Sequence, residues 1–516
     1  MKPSGGIVVC VSVLLMTAGF PLNAKTYYVD GGNPQADNAN AGTTALPWKT
    51  IQKGANTAVA GDTVVVKSGT YVERITFTKG HSGTPGNRVV FLAQPHRAVF
   101  MQGFNTDGGD WLRIEGFDIT NSQGGWLNGG IWLSSSHVEI IDNYLHDIPG
   151  TAIQASWSGG PWDSVYIAGN RIYCVNEGIV ASGNDWLVEN NEVERLKYPD
   201  AGDCDYSRFF GNRITFRGNY FHGALTSEIG SSHVDGFQTF DVNGEVANDI
   251  IIENNFVESF HEGMMLGMDK AGDAANYIIR NNIFCGGDLG GAWGLCVVNI
   301  TNLRAVNNVF CNMIYHGIGF RGDNGTGGST GMVRNNIFYN SGSNYWADSV
   351  STVQGGYNII YDTLGGLNAG DYDSKDLVNV NPKFMAARPL VTDDFKLQPT
   401  SPAINAGIAL PGLVDSDMAL TSRPRGAGWD IGPFEYIPAA VKREMAAARG
   451  TSQGSGLFVN RVVSRNEIKY LRMRFAEAKV FDLRGNEIRN EAICGKGIYL
   501  VKLTDNDRCR RVEVVR

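Results

Sequence analysis

The chain has 516 residues, 43% hydrophobic and 19% charged, enough for a sizeable core and for more than one domain. Its net charge of −8 is uneven: from Val441 to Arg516, 17 Lys and Arg face 9 Asp and Glu, while the rest carries 27 positive against 43 negative residues. A body this acidic excludes nucleic acid as an electrostatic partner, and it binds an anionic polymer only through local Arg or Lys or a bridging cation.

In chain order, Lys2, the apolar run Ile7 to Phe20 and the small-residue site Leu22-Asn23-Ala24 read as a signal peptide over residues 1–24. That run is too short for a spanning helix, so a secreted or cell-surface monomer is expected. Cys174, Cys204, Cys285, Cys296, Cys311, Cys494 and Cys509 remain, an odd number with no zinc spacing. Cys494 and Cys509 are candidates to pair, and the others read as buried free thiols.

A repeat then dominates. Asn143, Asn170, Asn191, Asn219, Asn255, Asn282, Asn308 and Asn336 each follow a short apolar strand, at intervals of 27, 21, 28, 36, 27, 26 and 28 residues. Such a period means a solenoid, and the strands are too short and too β-rich for helical repeats. One Asn per coil fits a structural ladder of amides. A second strand recurs as GGIWLSSS, TAIQASWS, EGIVASGN, DGFQTFD, EGMMLGMD, WGLCVVN and HGIGFRGD. Its alternation sends Ile153, Ile179, Phe237, Met264, Leu295 and Ile318 inward and leaves a solvent face along the solenoid.

Tyr28-Val29-Asp30, Trp48-Lys49-Thr50-Ile51-Gln52, Gly61-Asp62-Thr63-Val64 and Gly69-Thr70-Tyr71 look like the opening of pectate-lyase-like β-helix proteins. Ser401-Pro402-Ala403-Ile404-Asn405-Ala406-Gly407 and Asp430-Ile431-Gly432-Pro433-Phe434-Glu435 resemble their closing segment. The resemblance spans residues 26 to 437. It implies an all-β, right-handed parallel β-helix over 25–437, in a superfamily of lyases, hydrolases, epimerases and non-enzymes. Residues 438–456 read as a linker. Residues 457–516 alternate apolar and polar and resemble a small C-terminal β-sandwich that serves sorting, anchoring or contact with secretion machinery.

The candidate chemistry lies on the second strand. Glu177, Asp205, Asp235 and Glu262 each precede the residue that opens it, and Glu177 and Asp205 align without gaps at 28 residues. They form a column of carboxylates about 4.8 Å apart. Like charges so placed destabilise a sheet, so raised pKa values, arginines or a cation must compensate. A calcium ion held by these four is the expected cofactor, with Arg208 as another partner for Asp205. His233, Gln238 and His261 flank the column. Lys197, Asp200, Asp203, Glu228 and Lys270 lie in neighbouring loops, and Ala224 to Ser232 form the longest insertion.

Two reactions fit a polysaccharide substrate. In β-elimination, calcium or Arg neutralises a uronate carboxylate while Arg208, Lys197, His233 or Lys270 removes the adjacent proton. In hydrolysis, two of Asp205, Asp235 and Glu262 flank the bond. Calcium-assisted elimination of an acidic polysaccharide is preferred. Catalysis then falls to Arg208, His233, Asp235 and Lys270, and substrate binding to Lys197, Gln238 and His261. A hydrolase and a non-catalytic carbohydrate-binding protein are the alternatives. Trp126, Trp132, Trp157, Trp162, Trp186, Trp293 and Tyr206 are candidates to stack on sugars. His316 and Arg321 read as surface residues.

Overall fold

The computed structural model describes residues 24–438, apart from 121–128, 198–201, 242–245, 271, 273, 324 and 363–372, together with four strands beyond residue 456. The signal peptide, Asp200, Trp126, Cys494 and nearly all of the 438–456 linker lie outside the described residues.

Residues 26–378 coil into a parallel β-solenoid. Each coil contributes strands to successive faces, and each strand pairs in parallel with the equivalent strand one coil later. Leu187–Glu189 pairs with Thr215–Arg217, Glu192–Leu196 with Tyr220–His222, and Asp235–Phe240 with Glu262–Gly267. Inward residues such as Ile179, Phe237, Met264, Leu295 and Ile318 are fully buried. Phe284, Phe310 and Phe338 stack one per coil at 5.5 and 5.3 Å between ring centres.

The doublets before each ladder position have a local cause. Asp142, Gly169, Asn190, Gly218, Asn254, Asn281, Asn307 and Asn335 all have positive φ, between 53° and 66°. Gly, Asn and Asp tolerate that left-handed bend, which turns the chain from one face to the next. The following Asn then points inward and joins the ladder. Asn255 Oδ1 accepts from the backbone N–H and the Nδ2 of Asn219, both at 2.9 Å. Its own Nδ2 donates to Phe216 O and to Asn282 Oδ1, each at 3.0 Å. The ladder runs one coil past the sequence pattern, to Asn358, and ends on Asp376 Oδ1.

The first coil and the outer side of one sheet are covered. Helix Ile51–Ala55 caps the first coil with Ile51 buried, and its leading N–H groups donate to Glu73. After the last coil the chain folds back. Phe384, Phe395, Leu397, Ile431 and Phe434 bury Ile283, Cys285, Val309, Cys311 and Ile337 on the outer side of one sheet. The buried Arg423–Glu435 pair, at 2.7 Å, clasps this return segment. Cys174, Cys204, Cys285, Cys296 and Cys311 are buried thiols outside any disulfide.

Past residue 456, strands Leu457–Val459, Arg508–Val515, Ile498–Asp505 and Lys479–Phe481 form one sheet in that order, around an antiparallel hairpin. The remainder of the β-sandwich expected from the sequence falls outside the described residues. No helix among the described residues is long and apolar enough to cross a membrane.

Candidate active site

The carboxylate column is built by register. Thr151 pairs with Glu177, Ile179 with Ser207, Ser207 with Phe237, and Asp235 with Glu262, so Glu177, Asp205, Asp235 and Glu262 occupy equivalent positions in four successive coils. Trp293 and His316 continue the row. Glycine follows the acid in three of these coils because the chain turns a corner there. A Cβ on Gly178 would sit 2.2 Å from Tyr206 O, and one on Gly236 would sit 2.4 Å from Gly263 O. The corner aims the preceding carboxylate away from the core.

The first half of the column is neutralised from within. Arg208 Nε lies 2.9 Å from Glu177 Oε1 and 2.6 Å from Asp205 Oδ2, and its Nη2 lies 3.0 Å from Asp203 Oδ2. Thr151 donates to Glu177 Oε2 at 2.9 Å. These carboxylates raise the Arg208 pKa against the opposing effect of its burial. Arg208 is therefore a counter-ion, and the role of base assigned to it from sequence needs the reverse shift. A calcium ion on the four carboxylates would have to share Glu177 and Asp205 with this guanidinium.

The second half is arranged differently. Asp235 is completely buried. Gln238 Nε2 donates to its Oδ2 at 3.0 Å, its backbone N–H donates to Asp205 Oδ1 at 2.8 Å, and His233 Nδ1 lies 3.2 Å from its Oδ1. Burial pushes the Asp235 carboxyl up to about 7, opposed by the hydrogen bond from His233. Burial lifts Asp205 to about 7 as well, and burial with the neighbouring Asp235 charge lifts Glu262 to about 7. The bond to Asp235 raises His233 to about 9.

His233 exposes 44% of its side chain and Asp235 exposes 0%, so the imidazole, with Nε2 outward, reaches solvent and the carboxylate behind it does not. His261 stacks on His233 with ring centres 5.0 Å apart. Its Nδ1 accepts the Val234 N–H at 3.0 Å, which leaves the ring proton on Nε2. Burial and the adjacent His233 lower its pKa, so it stays neutral. Donor atoms of His233, Asp235 and Glu262 all lie within 4.8 Å of one another, and the imidazolium supplies the positive charge in that group.

Other sequence candidates fall elsewhere. Lys270 is exposed beyond the far end of strand Glu262–Gly267, a full strand from Glu262. Lys197 follows strand Glu192–Leu196 and lies near Glu228, which Arg195 binds at 2.8 Å. Gln238 is nearly buried and supports Asp235. Tyr206 and Trp186 are core, and Trp157 is half-buried against Phe210. Sequence reasoning passed over Trp346 and set Arg321 aside. Trp346 aligns with Gly319 on the outward row, and Arg321 pairs with Val298 one step further along.

No family model matches the chain. It is 23% identical over 444 residues to the uncharacterized protein YwoF of Bacillus subtilis (strain 168), covering 72% of this chain and 91% of that one. Among solved structures, similarity extends to XylC in complex with xylose, at 12% identity over 80% of this chain and 98% of that one, TM-score 0.48. It extends also to pectate lyase Pel9A, at 18% identity over 80% and 96%, TM-score 0.43. A GH136 lacto-N-biosidase from Eubacterium ramulus matches at 13% identity over 66% and 68%, TM-score 0.42. The chain is a parallel β-solenoid protein.

Proposed function

We propose that this protein is a secreted polysaccharide lyase that cleaves a uronate-containing chain by β-elimination, with His233 as the base. One observation carries this reading: the group that reaches solvent at the centre of the carboxylate column is an imidazole backed by a buried aspartate. Asp235 fixes the ring with Nδ1 inward. Nε2 is then free to take the proton from the carbon beside the uronate carboxylate. The electron pair left behind forms a carbon–carbon double bond and expels the glycosidic oxygen from the adjacent carbon, and that oxygen is protonated. His261 Nε2–H is a hydrogen-bond donor for the substrate carboxylate as charge develops on it. Hydrolysis by two carboxylates needs both in contact with substrate. Asp205 and Asp235 are completely buried, which leaves Glu262 without an accessible carboxylate partner in the column.

The test is a panel of pectate, alginate, chondroitin and xylan, followed by the ultraviolet absorbance of an unsaturated uronate. His233→Asn is expected to lower the rate about a thousandfold, the scale of a lost general base. Because His233 is lifted to about 9, kcat/KM of the wild type should climb with pH through that region as the imidazole loses its proton. New reducing ends without ultraviolet absorbance would establish a hydrolase instead.

A further inference from the structure

Below Glu262 the solvent-facing strip changes character. Strands Trp293–Val298 and His316–Arg321 carry no acidic residue. Trp293 takes the next place in the carboxylate row, His316 the one after, and Trp346 lies on the adjacent row. The three rings form one half-buried group: Trp293 to His316 is 4.3 Å between ring centres, His316 to Trp346 is 5.5 Å, and Trp293 to Trp346 is 6.1 Å. Gly319 makes this possible. A Cβ there would lie 2.3 Å from Trp293 Cζ3 and 3.0 Å from Trp346 Nε1, so any side chain would push the indoles apart. Trp346 Nε1 is buried and has no hydrogen-bond partner. Burial lowers the His316 pKa, and its Nδ1 lies 2.5 Å from Ser343 Oγ, so the ring is neutral.

Arg321 sits beside this aromatic floor. Its guanidinium hydrogen-bonds the Cys296 thiol and is close enough to Glu262 to draw that carboxyl's pKa down. Among the described residues no carboxylate lies within ion-pair distance of Arg321, whereas Arg208 on the same strip has three. A cation next to an uncharged aromatic surface is what a sugar acid needs: flat rings for its apolar face and a guanidinium fork for its carboxylate.

We propose that Trp293, His316, Trp346 and Arg321 form a subsite for an acidic sugar residue of the bound chain. The residue packs on the indoles with its carboxylate on Arg321. The glycan therefore extends from His233 toward the C-terminal coils, along the solenoid axis. The proposal rests on the polysaccharide reading but not on the reaction type, and binding can be measured without turnover.

The experiment is tryptophan fluorescence titration of the His233→Asn protein with hexamers of galacturonate, guluronate and xylose. At least one acidic hexamer should change the emission. Adding Arg321→Gln should weaken that hexamer about tenfold, for loss of a charge-assisted pair, and leave any binding of the neutral hexamer unchanged. Adding Trp346→Ala should weaken both, and Trp346→Phe should restore part of the affinity if the first variant is poorly folded. Unchanged affinity in the Arg321→Gln and Trp346→Phe proteins, or no fluorescence response to either acidic hexamer, overturns the subsite. If Arg321-dependent binding is seen while the wild type yields no unsaturated product, the subsite stands and the lyase reading falls.

Discussion

The solenoid carries two stacks of polar side chains, one residue per coil, with opposite electrostatics. In the asparagine ladder each amide offers both a donor and an acceptor, so every rung satisfies the next, and the stack is self-sufficient inside the core. In the carboxylate column each rung offers only acceptors and the same charge. It persists because Arg208 in its first half, His233 in its second and retained protons in both offset that charge. A stack that closes on itself is architecture. A stack that must borrow charge from its neighbours has been kept for some other purpose, and the half whose borrowed charge reaches solvent is where chemistry is expected.

The largest stability effect should come from removing the borrowed charge. Arg208→Met leaves Glu177 and Asp205 buried without their partner and should cost about 4 kcal/mol in urea unfolding at pH 8. At pH 5 the loss should shrink, because both acids then take up protons. Importing the column's problem into the ladder is the mirror experiment. Asn255→Asp removes the donor to Phe216 O and Asn282 Oδ1 and sets a carboxylate against both oxygens. A destabilisation of about 3 kcal/mol is expected. A neutral outcome would mean that the ladder is not the self-satisfying stack described here.

pH alone should move stability in one direction. Asp205, Asp235 and Glu262 hold protons up to about 7 in the folded chain, against ordinary values of 3.8 to 4.5. The folded state binds more protons than the unfolded state across that window, so stability falls as pH rises through it. His233, raised from 6.5 to about 9, acts in the same direction. Its contribution is complete below 6.5 and lost as pH climbs through about 9. Tm should therefore decline between pH 5 and pH 9. A Tm that rises over that range would contradict the protonation pattern assigned to the column.

The coiled fold was legible because its markers are local. Each left-handed bend selects Gly, Asn or Asp, and each ladder position selects Asn, so the period appears directly in the sequence. The column was legible for the same reason, since its acids sit just before the corner residue. What surrounds the column was not. Lys270 lies close to Glu262 in sequence, but the extended strand between them carries it away. Arg321 lies far away in sequence, yet coil stacking and a long side chain bring it near Glu262. Trp346 follows a coil without the acid–glycine signal, so nothing in the pattern marks it. His261's tautomer depends on a backbone N–H of the preceding coil, which no spacing reveals. Arg208 was recognised as a partner for Asp205, but its simultaneous grip on Glu177 and Asp203 requires knowing where three side chains point.

That last point separates two accounts of the same column, and the smallest expected effect decides between them. If calcium neutralised the carboxylates, a chelator would abolish activity and lower Tm together. With Arg208 engaging Glu177, Asp205 and Asp203, and His233 engaging Asp235, each acid in the buried part already faces a positive group that belongs to the chain. Saturating EDTA should then leave both the rate and Tm of the purified protein unchanged. Loss of activity with Tm unchanged would put a cation on the substrate side, near Glu262, where it would assist Arg321. Loss of both would mean that Arg208 yields its carboxylates to a metal, and the balance drawn here between the column's two halves would have to be replaced.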